Sequence, residues 1–198
     1  MSEINRTEEF DLADRFVTET NKNIFLTGKA GTGKTTFLKY LRNNSIKRMV
    51  VAAPTGVAAV NAQGVTLHSL FQLPLGIILP SSDTFHLSRD YFKNHPLLSR
   101  IHYSKEKLNL LSSIDLLVID EASMLASYIV DAIDIILRYI KRIPEQPFGG
   151  VQILFIGDLN QLPLLLKMKN GKFCRITTHQ FFSLTVSSCE RIFRLLSS

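Results

Sequence analysis

Gly28-Lys29-Ala30-Gly31-Thr32-Gly33-Lys34-Thr35 fits the phosphate-binding pattern G-x-x-x-x-G-K-[ST]. Glycines at 28, 31 and 33 let the backbone turn tightly and aim its N–H groups at phosphate oxygens. Lys34 brings a charge to the β- and γ-phosphates, and the Thr35 hydroxyl suits Mg²⁺. Working outward, Ile24-Phe25-Leu26-Thr27 is a short apolar run that reads as a buried strand. On the other side, Thr36 to Arg42 reads as a helix whose N-terminus faces the phosphates. Strand, glycine loop and helix in this order predict a nucleotide site formed by Gly28, Ala30, Gly31, Thr32, Gly33, Lys34, Thr35 and Thr36.

The same alternation continues along the chain. Met49 to Ala53 reads as a second strand, Pro54 as a junction, and Thr55 to Ala62 as a helix of small residues. Leu116 to Ile119 reads as a third strand. Met124 to Ile143 is amphipathic, with Leu125, Ile129, Ile133, Ile136, Leu137 and Ile140 on one face and Pro144 as its stop. Val151 to Ile156 reads as a fourth strand. Continuous apolar strands alternating with helices predict a parallel sheet covered on both faces, an α/β P-loop (RecA-like) fold. The expected layout is one domain over residues 1–198 with its core from about 21 to 163. Residues 74–113 carry loop signals (Pro74, Gly76, Pro80, Ser81-Ser82-Asp83) and read as an irregular excursion. Residues 164–198 read as a partial tail without another βαβ unit.

Composition narrows the class. The 198 residues are 45% hydrophobic and 20% charged, ordinary for a soluble globular domain. A net charge of +6 suits a polyanionic partner. The basic residues are dispersed and form no dense targeting run. Arg138, Lys141 and Arg142 fall at a helix end, where cations suit the macrodipole. No apolar stretch has membrane-spanning length, and the acidic first fourteen residues lack a signal-peptide core. No membrane partner is expected. Cys174 and Cys189 have no metal-ligand spacing. Reduced thiols and a cytoplasmic location are expected.

Three further segments carry chemistry. Asp120-Glu121 ends the run Leu116-Leu117-Val118-Ile119. With the glycine loop, this suggests Asp120 as a Mg²⁺ ligand and Glu121 as the group that orients or deprotonates water. Two acids there could also cap the next helix, with Ser123 helping. Gly157-Asp158-Leu159-Asn160-Gln161-Leu162-Pro163 follows the fourth strand, where parallel sheets carry their ligand sites. The Gln161 amide could sense a γ-phosphate there. Thr55, followed by a helix start, could hold a nucleic-acid phosphate, and His68 and Phe71 could stack on unpaired bases. For each, ordinary packing is the competing reading.

The order of these motifs resembles the N-terminal motor domain of the PIF family of superfamily 1 DNA helicases. The resemblance rests on residues 24–36, Ala53-Pro54-Thr55-Gly56-Val57-Ala58-Ala59, Thr66-Leu67-His68-Ser69, Asp120-Glu121-Ala122-Ser123-Met124, and Gly157-Asp158 through Gln161-Leu162-Pro163. It implies ATP-driven 5′-to-3′ translocation on single-stranded DNA and roles in repair, recombination or telomere maintenance. It implies ATP and Mg²⁺ at Lys34, Thr35, Asp120 and Glu121, a γ-phosphate sensor at Gln161, and DNA contacts at Thr55, Gly56, Thr66 and His68. Arg194, in Ile192-Phe193-Arg194-Leu195, partly matches the family's arginine motif but lacks the glutamine that follows it. Leu164 stands where the family has a second proline. A helicase closes two motor domains around ATP, and no second one is read within these residues. A separate polypeptide could supply it in trans. The alternative is a truncated module that binds ATP, and DNA weakly, without helicase activity of its own. A small-molecule kinase would need an acceptor pocket and lid arginines, which are not assignable.

Overall fold

The computed structural model describes residues 7–29, 31–74, 92, 95–158, 165–167, 173–175 and 189–194, the last three segments by backbone alone. Helix α1 (Glu8–Glu19) leads into β1 (Asn23–Thr27), followed by α2 (Lys34–Asn44) and β2 (Met49–Ala53). The short α3 (Gly56–Asn61), β3 (Val65–Thr66) and α4 (Leu67–Phe71) come next. Helix α5 (Lys105–Ser113), β4 (Leu116–Ile119), α6 (Ser127–Lys141) and β5 (Gln152–Gly157) complete the central layers. A two-stranded antiparallel pair, β6 (Leu165–Lys167) and β7 (Phe173–Arg175), precedes β8 (Cys189–Arg194).

The main sheet has the order β3-β2-β4-β5-β1-β8 and is parallel at every pairing. Its inner strands are buried on both faces, and successive side chains alternate between two cores. Ile24, Leu26, Leu116, Val118, Leu154 and Ile156 join Phe37, Leu38 and Leu41 of α2 and Phe10, Ala13 and Val17 of α1. Phe25, Leu117, Ile119, Ile153 and Phe155 face the opposite core, under α4, α5 and α6. The doubly covered parallel sheet predicted from the apolar runs is thus present.

Four elements differ from the sequence reading. The N-terminal segment forms α1: the Thr7 hydroxyl accepts from the Phe10 amide at 3.3 Å, and acids fill the first turn. A fully buried Gln152 helps dock it. The Gln152 amide donates to the Phe16 and Lys22 carbonyls, and its oxygen accepts from Lys47 at 2.7 Å. The segment 74–113 is not irregular throughout. Ser104 caps α5, whose Leu111 is fully buried. The helix read from Met124 begins only at Ser127, because Ala122–Met124 is a tight 3₁₀ turn. It ends before Pro144, where Arg142 adopts φ 59° and its N–H bonds back to the Arg138 and Tyr139 carbonyls. The tail contributes β8, a sixth strand beside β1.

Candidate active site

The glycine loop joins β1 to α2, as the sequence predicts. Gly31 (φ 84°) and Gly33 (φ 90°) are left-handed. A Cβ at either position would meet nothing within 4 Å, so conformation rather than space requires glycine there. Gly33 is the residue before α2, and its carbonyl accepts from the Phe37 amide at 2.8 Å. Lys34 opens the helix and curls back over the loop. Its ammonium donates to the Gly28 carbonyl at 2.5 Å and the Lys29 carbonyl at 2.8 Å. The Thr32 hydroxyl donates to the same Lys29 carbonyl at 2.9 Å. Thr35 and Thr36 are exposed on the first turn of α2. Ala30 lies outside the described residues.

Strand order brings the acids to this loop. β5 lies between β1 and β4, with Thr27 in register with Gly157 and Ile119 with Phe155. The carboxyl ends of three adjacent strands therefore present the glycine loop, Gly157-Asp158 and Asp120-Glu121 side by side. Burial pushes the Asp120 carboxyl above the usual range, while the Glu121 amide and the Lys34 charge pull the other way. The Glu121 amide donates to Asp120 Oδ1 at 3.0 Å. Glu121 itself is left-handed (φ 53°, ψ 41°), a conformation that costs a non-glycine residue about 1–2 kcal/mol. Such strain clusters at functional positions. Glu121, which precedes the 3₁₀ turn, makes no side-chain cap bond, and neither does Ala126, which precedes α6.

The second predicted cluster lies one strand away, beyond β2. Thr55 and Thr66 each cap a short helix, accepting from the Ala58 and Ser69 amides at 3.2 Å. Gly56 is exposed and His68 half-buried. Phe71, read as a possible base-stacking ring, is fully buried against α6 and the sheet. The apolar pull of that core overrides the stacking reading. Gln161 lies outside the described residues. Arg194 ends β8, in register with Thr27 at the foot of the glycine loop. The sequence reading missed that strand, whose alternation is broken by Glu190, Arg191 and Arg194.

Among the described residues, no group of three or more His, Cys, Asp or Glu could hold a metal. The two donors that the sequence assigns to Mg²⁺, the Asp120 carboxylate and the Thr35 hydroxyl, would suit an ion that keeps water and phosphate oxygens. No helix among those residues is long and apolar enough to cross a membrane.

A family model described as PIF1-like helicase matches residues 4–189. The chain belongs to the PIF1-like helicase family. Among curated PIF1-like relatives, the ATP-dependent DNA helicase PIF1 of Saccharomyces cerevisiae is 37% identical over 161 residues. That match covers 77% of this chain and 16% of the yeast protein. Unliganded Pif1 from Bacteroides superposes with a TM-score of 0.77 at 37% identity, over 98% of this chain and 42% of that one. Bacteroides Pif1 in complex with ADP-AlF3 and single-stranded DNA gives 0.76 at 38% identity, over 98% and 43%. The chain thus spans about one sixth of the yeast relative and under half of these solved PIF1-like chains.

Proposed function

We propose that this chain is the ATP-binding motor domain of an ATP-dependent, 5′-to-3′ DNA helicase serving repair, recombination or telomere maintenance. The observation that carries this reading is the meeting of the glycine loop, Asp120-Glu121 and Gly157-Asp158 at three adjacent strand ends. The relative solved with ADP-AlF3 and single-stranded DNA supports both ligand classes.

In this proposal the loop N–H groups cradle the ATP phosphates, with Gly28, Ala30, Gly31, Thr32, Gly33 and Thr36 forming the cradle. Lys34 exchanges its two carbonyl partners for phosphate oxygens. Thr35 and Asp120 hold Mg²⁺, which offsets the negative charge that builds up on the phosphates. Glu121 accepts a proton from water as the water oxygen bonds the γ-phosphorus and the bond to the bridging oxygen breaks. Gln161 contacts the γ-phosphate and Arg194 acts as an arginine finger. Thr55, Gly56, Thr66 and His68 contact single-stranded DNA.

The 198-residue chain spans under half of the solved relatives. On its own it is expected to bind both ligands without separating strands, with a second motor domain supplied in cis or in trans. ATP turnover by the purified chain, with and without single-stranded DNA, tests the reading. Turnover that DNA stimulates supports it. Failure to bind ATP at all would overturn it.

A further inference from the structure

The end of α3 is pinned to α2 at one arginine. Helix α3 closes with two bonds that satisfy its inner carbonyls: the Gln63 amide to Val60 at 2.9 Å and the Gly64 amide to Ala59 at 2.8 Å. Gln63 takes the left-handed conformation (φ 51°) that this closure requires. The arrangement leaves the outermost carbonyls free, as at any helix end. Arg42, in the last turn of α2, takes them. Its guanidinium donates to the Ala62 carbonyl and, at 3.0 Å, to the Gln63 carbonyl.

Two further contacts make this junction stiff. Ala62 packs in the same core as Phe37, Leu38 and Leu41 of α2. Gly64 lies so close to β2 that a Cβ would sit 2.3 Å from the Val51 carbonyl oxygen. Helix α2 starts at Lys34, so Arg42 stands about 12 Å along the axis from the phosphate loop. Helix α3 starts just after Thr55, its other end thus fixed to α2.

We propose that Arg42 is a positioning residue that couples the nucleotide loop to the DNA-contacting end of α3. The inference rests on the reading above, that residues 28–35 bind ATP and Thr55-Gly56 touch DNA. A shift of α2 on phosphate binding is transmitted through the two-pronged Arg42 contact to α3. Arg42 touches neither ligand, so its loss alters the dependence of one affinity on the other.

The test measures anisotropy of a labelled oligothymidylate, with and without Mg²⁺·ADP–aluminium fluoride, for the parent chain, Arg42→Met and Arg42→Lys. Melting curves accompany each variant. The parent should show a change in DNA affinity of about fivefold or more between the two conditions. Arg42→Met should bring that ratio within about twofold of one, while each ligand alone binds within about twofold of the parent. Arg42→Lys, a point charge that cannot match the guanidinium fork, should fall between and decides the matter if the Met variant does not fold. An undiminished ratio in the folded variants overturns the proposal, as does a parent ratio of one. Nucleotide binding by calorimetry separates the failures: a parent that binds ATP with a ratio of one keeps the ATP site and loses the Arg42 coupling. A parent that binds no ATP loses both.

Discussion

Gly157 and Ser123 approach so closely that a Cβ on Gly157 would lie 3.0 Å from the Ser123 amide nitrogen and 3.3 Å from that of Ala122. The end of β5 is therefore pressed against the turn that follows Asp120-Glu121. A side chain at 157 must push that turn away. The Gly157→Ala variant is expected to lose about 1–3 kcal/mol, the usual cost of overpacking. In a domain of this size that corresponds to a fall of roughly 2–10 °C in melting temperature. Affinity for Mg²⁺·ATP should fall with it. A melting temperature and an affinity both equal to the parent's would show that the turn yields freely.

Glu121 stands one residue beyond the proposed Mg²⁺ ligand, on a strained backbone. In Glu121→Gln the shape is kept and the proton acceptor is lost. ATP should still bind within a few-fold of the parent, and turnover should fall to background. Phosphate release assays read the second quantity. Unchanged turnover would place the base elsewhere.

Asp131 lies on α6, three residues from Asp134. Burial, with the Asp134 charge adding to it, pushes its carboxyl up to about 6. The folded state therefore holds its proton more tightly than the unfolded chain, and the stability gained from this group is lost as pH rises from about 4 through 6. Above that range the ionised carboxylate opposes folding, by about 1–2 kcal/mol once its partial exposure is allowed for. The Asp131→Asn variant should melt a few degrees higher than the parent at pH 8 and no higher at pH 4. Equal shifts at both values would contradict the assignment.

Single-stranded DNA should bind the isolated chain weakly, with little sequence preference and a steep loss of affinity as salt is added. A net charge of +6 with dispersed cations underlies this. With Phe71 buried, the proposed stacking role falls to the half-buried His68. His68→Ala should cost up to about 1–3 kcal/mol of DNA binding, and Phe71→Ala should instead destabilise the fold by about 3–5 kcal/mol. A salt series with both variants separates the two effects. Unwinding of a 5′-tailed duplex by the parent chain alone would show that copies assemble to complete the site.

The legible part of the fold was the part buried on both sides. Strands β1, β2, β4 and β5 are apolar runs because helices cover both faces of the sheet, and their motifs sit where the runs stop. Helix α1 was harder to see: Phe10, Ala13 and Val17 have helical spacing, but acids stand among them, and the core reads as starting only near residue 21. Strand β3 has only two residues, too few for any periodicity. Strand β8 is a sheet edge carrying three charges in six residues, so its pairing with β1 comes from tertiary context. At the site, glycine and acid patterns were legible because phosphate chemistry demands those residue types. The Gly157–Ser123 approach and the Arg42 contact were not, since both join segments far apart in the chain.

The central claim is that residues 28–35 bind ATP, with Lys34 paying for its two loop carbonyls by gaining phosphate oxygens. Titration calorimetry of Mg²⁺·ATP into the parent chain and into Lys34→Ala tests it most directly. The account predicts saturable binding to the parent and at least a tenfold weaker affinity in the variant, since a lost charge-assisted contact costs about 1.5–3 kcal/mol. Equal affinity in the two proteins, or no binding to the folded parent, would contradict it.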